Sequence, residues 1–155
     1  MENHENYVSL ETAKLLKQAG FDWTIDCDFV YAIFNDRTEF LNDIYVINAY
    51  QSNLRPGLGP LDRDSYVCKY HAPTLSVAQE WLRVTENIWI EVTMCFVMED
   101  AIMKTKYHVQ IVSTNFGELL MVDCHDIETD TPKEALEAGI KKYLTLILEK
   151  DDSKI

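Results

Sequence analysis

The sequence predicts an α+β fold, an antiparallel sheet with helices packed on one face, in the order α-β-β-β-α-β-β-β-α. Three observations predict it. Three segments carry apolar residues at helical spacing behind capping residues. The segments between them alternate apolar and polar residues with the period of a strand. The links between those strands are short, which joins neighbours antiparallel.

The first helix is expected over Leu10–Ala19, with Ser9 as its cap, a stripe of Leu10, Ala13, Leu16 and Ala19, and Gly20 as a left-handed stop. The second spans Leu75–Glu86 behind Pro73 and the cap Thr74, with Leu75, Ala78, Trp81, Leu82 and Thr85 on one face. The third opens on a capping box of Thr131 and Glu134, with Pro132 at the first helical position. Leu136, Ile140, Tyr143, Leu144 and Ile147 form its stripe, and Glu137 precedes Lys141 by the spacing of a surface pair.

The clearest strand is Ile88 to Met98, where Ile88, Ile90, Val92, Met94, Phe96 and Met98 alternate with Trp89, Glu91, Thr93, Cys95 and Val97. One face is apolar and the other mixed, the pattern of a strand. Lys106–Ser113 alternates likewise, with Tyr107, Val109 and Ile111 inward, and Asn115-Phe116-Gly117 turns the chain into Glu118–Cys124. The first half adds strands at Phe29–Phe34, Ile44–Tyr50 and Tyr66–Tyr70. Arg55-Pro56-Gly57-Leu58-Gly59-Pro60 is expected as an irregular loop inside one domain covering 1–155, with an ordered core at about 7–149.

Composition narrows the function. The net charge is −12 and no basic cluster occurs, so nucleic acid, whose phosphates need clustered Lys and Arg, is not an expected partner. Acidic residues outnumber basic ones in both halves, 11 to 6 over 1–70 and 15 to 8 over 71–155, so the charge is not a detachable tail. Cys27, Cys68, Cys95 and Cys124 are widely spaced without a CxxC, which suits reduced, mostly buried thiols. The start, Met1-Glu2-Asn3-His4-Glu5-Asn6, is polar and acidic, and the longest apolar stretch, Ile88 to Met98, contains Glu91 and is about half a membrane span. A cytoplasmic protein without membrane contact is expected.

Asp123-Cys124-His125-Asp126 is the densest group of potential ligands, and Cys68 and His71 stand in a Cys-x-x-His spacing that zinc can use. Cys68, His71, Cys124 and His125 are therefore the candidate metal ligands. Cys124 and His125 are adjacent, however, and on a strand adjacent side chains point to opposite faces unless a bulge turns the chain. The same geometry weighs against a Cys124–His125 nucleophile and base. Asp26-x-Asp28 and Asp62-x-Asp64 are two-carboxylate spacings that a solvated loop also produces, and Arg55 and Arg63 flank the Gly57-x-Gly59 turn as a candidate anion clamp. No nucleophile elbow, phosphate loop or dinucleotide loop occurs, and no cofactor is expected.

The first half is crowded with aromatic residues among carboxylates. Asp22, Trp23, Asp26, Asp28 and Asp36 are the candidate protein-binding residues, since an acidic, aromatic surface engages a basic protein patch. Val8–Asp22, Ala72–Arg83 and Pro132–Ile140 together resemble a set of short proteins of no known activity encoded by Bacteroidetes and by phages and mobile elements of those bacteria. That resemblance implies a gene context, an accessory protein of a phage or mobile element, and no catalytic residues. Residues 74–149 are also similar in topology to the double-stranded-RNA-binding domain, with Pro132-Lys133-Glu134-Ala135 at the start of the final helix. That domain grips phosphate there with a lysine cluster, whereas here Lys133 stands among Asp130, Glu134 and Glu137. The expected function is thus an accessory protein that binds a basic protein partner. The alternatives are a homo-oligomeric assembly protein and a small metal-dependent hydrolase using the Asp123–Asp126 segment.

Overall fold

A computed structural model describes residues 4–44, 46, 65–113 and 120–152. The element order is the expected one, and the six strands among the described residues divide into two three-stranded antiparallel sheets. The chain forms two compact units, Ser9–Pro73 and Met1–Val8 with Thr74–Ile155.

In the Ser9–Pro73 unit, α1 (Leu10–Gln18) starts where the Ser9 hydroxyl accepts from the Thr12 N–H at 3.2 Å. It ends at Gly20, whose φ of +92° is the left-handed conformation that glycine adopts without strain. Thr12, Ala13 and Leu16 are buried, and the helix packs on the third strand. The sheet order is β2-β1-β3, with β1 at Phe29–Phe34, β2 at Thr38–Asn42 and β3 at Tyr66–Ala72. The alternate residues Val30, Ala32 and Phe34 are buried with Val46, against Leu41 and Tyr66. On the other face Phe29 stacks on Phe40 at 5.1 Å.

One expectation of strand position is corrected here. The second strand is Thr38–Asn42, and Asp43, Ile44 and Val46 have helical backbone. The Asn42 side chain accepts from the Ile44 N–H at 3.0 Å, a local bond that stops the strand and starts a turn ahead of the apolar run. The rest of the expected Ile44–Tyr50 strand, apart from Val46, lies outside the described residues, as do the Arg55–Pro60 loop and the Asn115–Gly117 turn.

The second unit holds α2 (Leu75–Glu86), β4 (Ile88–Glu99), β5 (Ile102–Ser113), β6 (Leu120–Thr129) and α3 (Pro132–Asp152). Thr74 caps α2 by accepting from the Val77 N–H at 3.2 Å, and Asn87 ends it with a left-handed φ of 56°. Thr131 caps α3 by accepting from the Glu134 N–H at 3.2 Å. An antiparallel bridge of Tyr7 to Thr74 ties the N-terminal segment into this unit.

Helix α3 lies close against the sheet at Gly139. A Cβ there would come within 2.4 Å of Ile90 Cγ2 and 2.7 Å of Val109 Cγ1, so the approach requires glycine. Ile90, Val109, Ile111, Ile140 and Leu144 are buried around it, with Trp81 and Leu82 of α2.

The apolar face of β4 is buried at one end and exposed at the other. Ile88 and Ile90 are buried, but Met94, Phe96 and Met98 are more than half exposed, as are Ile102 and Met103 of β5. Strand β6 pairs with β5 only over Tyr107–Ser113, whereas β4 pairs with β5 from Ile88–Ser113 to Glu99–Ile102. Beyond Tyr107 the two strands therefore continue as a two-stranded ribbon. It closes at Asp100 and Ala101, both at positive φ, as in the hairpin turn that matches strand twist.

Candidate functional site

The residues weighed for a metal site are separated by strand geometry. On β3, Cys68 pairs with Ile33 and His71 with Val30. Positions three apart on a strand face opposite ways, so Cys68 and His71 do not present one face to an ion. On β6 the register does break between Cys124 and Glu128, the kind of irregularity that redirects side chains. Even so Cys124 is buried and His125 is 87% exposed. His125 Nε2 lies 3.9 Å from Asp123, whose carboxylate accepts from the Gln110 amide at 2.5 Å. Asp126 pairs with Lys142 at 3.4 Å. Among the described residues no three His, Cys, Asp or Glu side chains are grouped as metal ligands are.

Neither buried thiol is poised as a nucleophile. Burial, with Asp26, Asp28 and Asp43 adding to it, pushes Cys27 up to about 12, and its Sγ lies 3.5 Å from the Trp23 carbonyl oxygen. Burial and the Asp126 charge also raise Cys124. Both stay protonated at neutral pH, where only a thiolate attacks.

The acidic residues of the first unit are split between two ends of β1. Asp22, Asp26 and Asp28 are exposed on the segment before the strand, around the half-buried Trp23 and an Ile25 that is 94% exposed. Asp36 lies in the turn after β1, a strand length of about 20 Å away, and pairs with Arg37 at 3.0 Å. The neighbouring aromatics are turned to packing. Tyr31 contacts Phe40 at 5.1 Å, and Phe34 meets Tyr66 edge-on at 5.9 Å and carries Arg37 over its ring.

The same unit contains an open cavity of about 280 Å³ lined by Ala13, Lys17, Phe21, Thr24, Lys69 and His71. Asp43 bonds Lys69 at 2.7 Å and approaches His71 Nε2 at 3.5 Å, while Lys17 sits 4.9 Å over the Tyr70 ring. Burial lowers the His71 pKa, with Asp43 opposing and Lys69 reinforcing the shift. His71 was a candidate ligand from the sequence, but Lys17 and Lys69 lie far apart in the chain, on α1 and β3, and only the fold brings them beside it. Arg55, Arg63, Asp62 and Asp64 lie outside the described residues.

Among the described residues, exposed apolar side chains gather at the ribbon tip. Met94, Phe96, Met98 and Met103 stand on one face by the strand register, and Glu99, Lys104 and Lys106 stand on the other. Glu99 pairs with Lys104 at 2.9 Å, and Lys106 reaches Asp130. The charged face is thus self-compensated, while the apolar face meets water. No described helix is long and apolar enough to cross a membrane. Comparison with protein-family models, with curated proteins and with solved structures gave no match.

Proposed function

We propose that this protein acts by protein–protein contact, as a small accessory protein without chemistry of its own. The observation that carries the reading is the exposed apolar face of the β4–β5 tip, Met94, Phe96, Met98 and Met103. Contiguous apolar surface of this kind costs solubility and marks an interaction site, and methionine adapts its shape to a partner. The net charge of −12 selects against nucleic acid and favours a basic protein. The exposed Asp22, Ile25, Asp26 and Asp28 supply a second surface of the matching chemistry. A cytoplasmic setting in a phage or mobile element of Bacteroidetes is proposed on the resemblance of residues 8–22, 72–83 and 132–140.

The test is a photo-reactive residue in place of Phe96, activated in cells that express the chain. A discrete protein adduct that disappears when Met94 and Met98 are both changed to Asp is expected. A tip that captures no protein overturns the reading. A second reading, assembly of the chain with itself, is favoured by the outer edge of β4.

A further inference from the structure

Strand β4 is an edge strand, since its sheet runs β4-β5-β6. Natural edges are blunted by lysine, proline, bulges or a covering element, because an open row of N–H and C=O groups pairs with any extended chain. The β4 sequence Ile-Trp-Ile-Glu-Val-Thr-Met-Cys-Phe-Val-Met-Glu has neither lysine nor proline, and its twelve residues pair with β5 without a register shift.

One residue of this edge is covered. The Gln79 amide of α2 donates to the Ile90 carbonyl at 2.8 Å and accepts from the Ile90 N–H at 3.2 Å, taking the place of a strand. Both backbone groups of Ile90 therefore point away from β5. Because the direction alternates along an antiparallel strand, those of Val92, Met94, Phe96 and Met98 also point outward. Gln79 guards the root, and the tip has no counterpart among the described residues.

We infer that the occupant of this open edge is a second copy of the chain, its β4 running antiparallel to the first with the two-fold axis at Cys95. This deepens the second reading above, assembly of the chain with itself, and rests on it rather than on a basic partner. The four outward-pointing residues are symmetric about Cys95, so one register satisfies all of them. Val92 pairs with Met98 of the second copy and Met94 with Phe96, each pair exchanging two backbone bonds. The same register puts apolar residues opposite apolar residues on the exposed face, joining two Met-rich strips into one. Pairing stops where Gln79 already holds Ile90. Glu91 comes opposite Glu99 of the second copy, whose charge Lys104 offsets at 2.9 Å. An antiparallel edge contact is isologous and closes at two copies.

Cys95 meets Cys95 of the second copy as a non-hydrogen-bonded pair, with Cα atoms about 4.5 Å apart. That lies inside the disulfide range of about 4.4–6.8 Å, so the register has a chemical readout.

The experiment combines sedimentation equilibrium with thiol crosslinking by diamide, which accepts the two thiol hydrogens as the disulfide forms. A species of twice the 18.0 kDa chain mass is expected, with a micromolar dissociation constant suited to a small interface. It tightens several-fold as salt is raised from about 0.05 to 0.5 M, because two acidic chains repel less when screened. Diamide then traps a covalent dimer that Cys95→Ser abolishes. Met94→Pro removes an outward N–H, which an edge tolerates, and it returns the protein to monomer with its circular dichroism unchanged.

A dimer indifferent to Met94→Pro, or crosslinked equally well without Cys95, overturns the interface. A monomer at every concentration overturns the second copy as occupant. In that case a photo-adduct at position 96 with a different protein leaves the protein-binding reading standing, and no adduct removes both.

Discussion

The two outer strands of the second sheet share one neighbour and differ in how their free edges are guarded. Strand β6 carries exposed Asp123, Asp126 and Glu128 and breaks register with β5 between Cys124 and Glu128. Charge and irregularity both discourage a further strand. Strand β4 is regular over twelve residues, carries Glu91 and Glu99 alone as charges, and among the described residues is closed only where Gln79 bonds Ile90. The difference shows that an edge is protected locally, residue by residue. Along β4 it changes between Ile90 and Val92, where the apolar face also passes from burial under α3 to solvent.

The contrast between root and tip sets the largest expected effect. Ile90→Ala removes buried atoms beneath α3 and is expected to cost about 2–5 kcal/mol in urea unfolding. Met94→Ala, four residues further on the same face, is expected to stay within about 0.5 kcal/mol in dilute solution. Equal losses at the two sites would erase the boundary.

Gly139→Ala comes next. The added methyl collides with Ile90 and Val109, and overpacking of about 1–3 kcal/mol outweighs the gain of about 1 kcal/mol in helix propensity. Greater stability in a melt would mean that α3 does not approach the sheet so closely. Gln79→Leu strands the Ile90 N–H and carbonyl and is expected to cost about 1–3 kcal/mol. It also opens the guarded part of the edge, so self-association should rise while stability falls.

At the tip, Ala101→Gly relieves a non-glycine residue at φ 64° and is expected to stabilise by about 1 kcal/mol. No gain in the melting temperature would argue against that turn. The smallest effect belongs to the first unit. Burial lowers the folded His71 pKa, so its contribution is full above the ordinary value of 6.5 and is lost as pH falls through the folded value. His71→Gln should flatten the acid side of the stability curve, and an unchanged curve would remove His71 as the cause.

The helices were legible to within a residue or two at their starts, because Ser9, Thr74 and Thr131 cap them through local bonds that a sequence displays directly. Strand identity was legible where alternation was clear, as in β4, and where β-branched and aromatic residues run together, as in β1. It failed at residues 38–46, where the strand Thr38–Asn42 contains polar residues and the more apolar segment behind it turns at Asn42. Period identified the apolar face of β4 but not how much of it is buried. How far a helix covers a strand depends on the close approach at Gly139 and the short reach of β6, and neither is a property of β4 itself. The Gln79 clamp on Ile90 was equally out of view, since the two are 11 positions apart and joined only by the fold.

Amide hydrogen exchange along β4, read residue by residue in dilute and in concentrated solution, tests the central claim most directly. The open edge predicts an alternating response. The amides of Val92, Met94, Phe96 and Met98 exchange fast when dilute and slow markedly when concentrated, while those of Thr93, Cys95 and Val97, facing β5, stay protected in both. Fast exchange of the even-numbered amides at every concentration would contradict it.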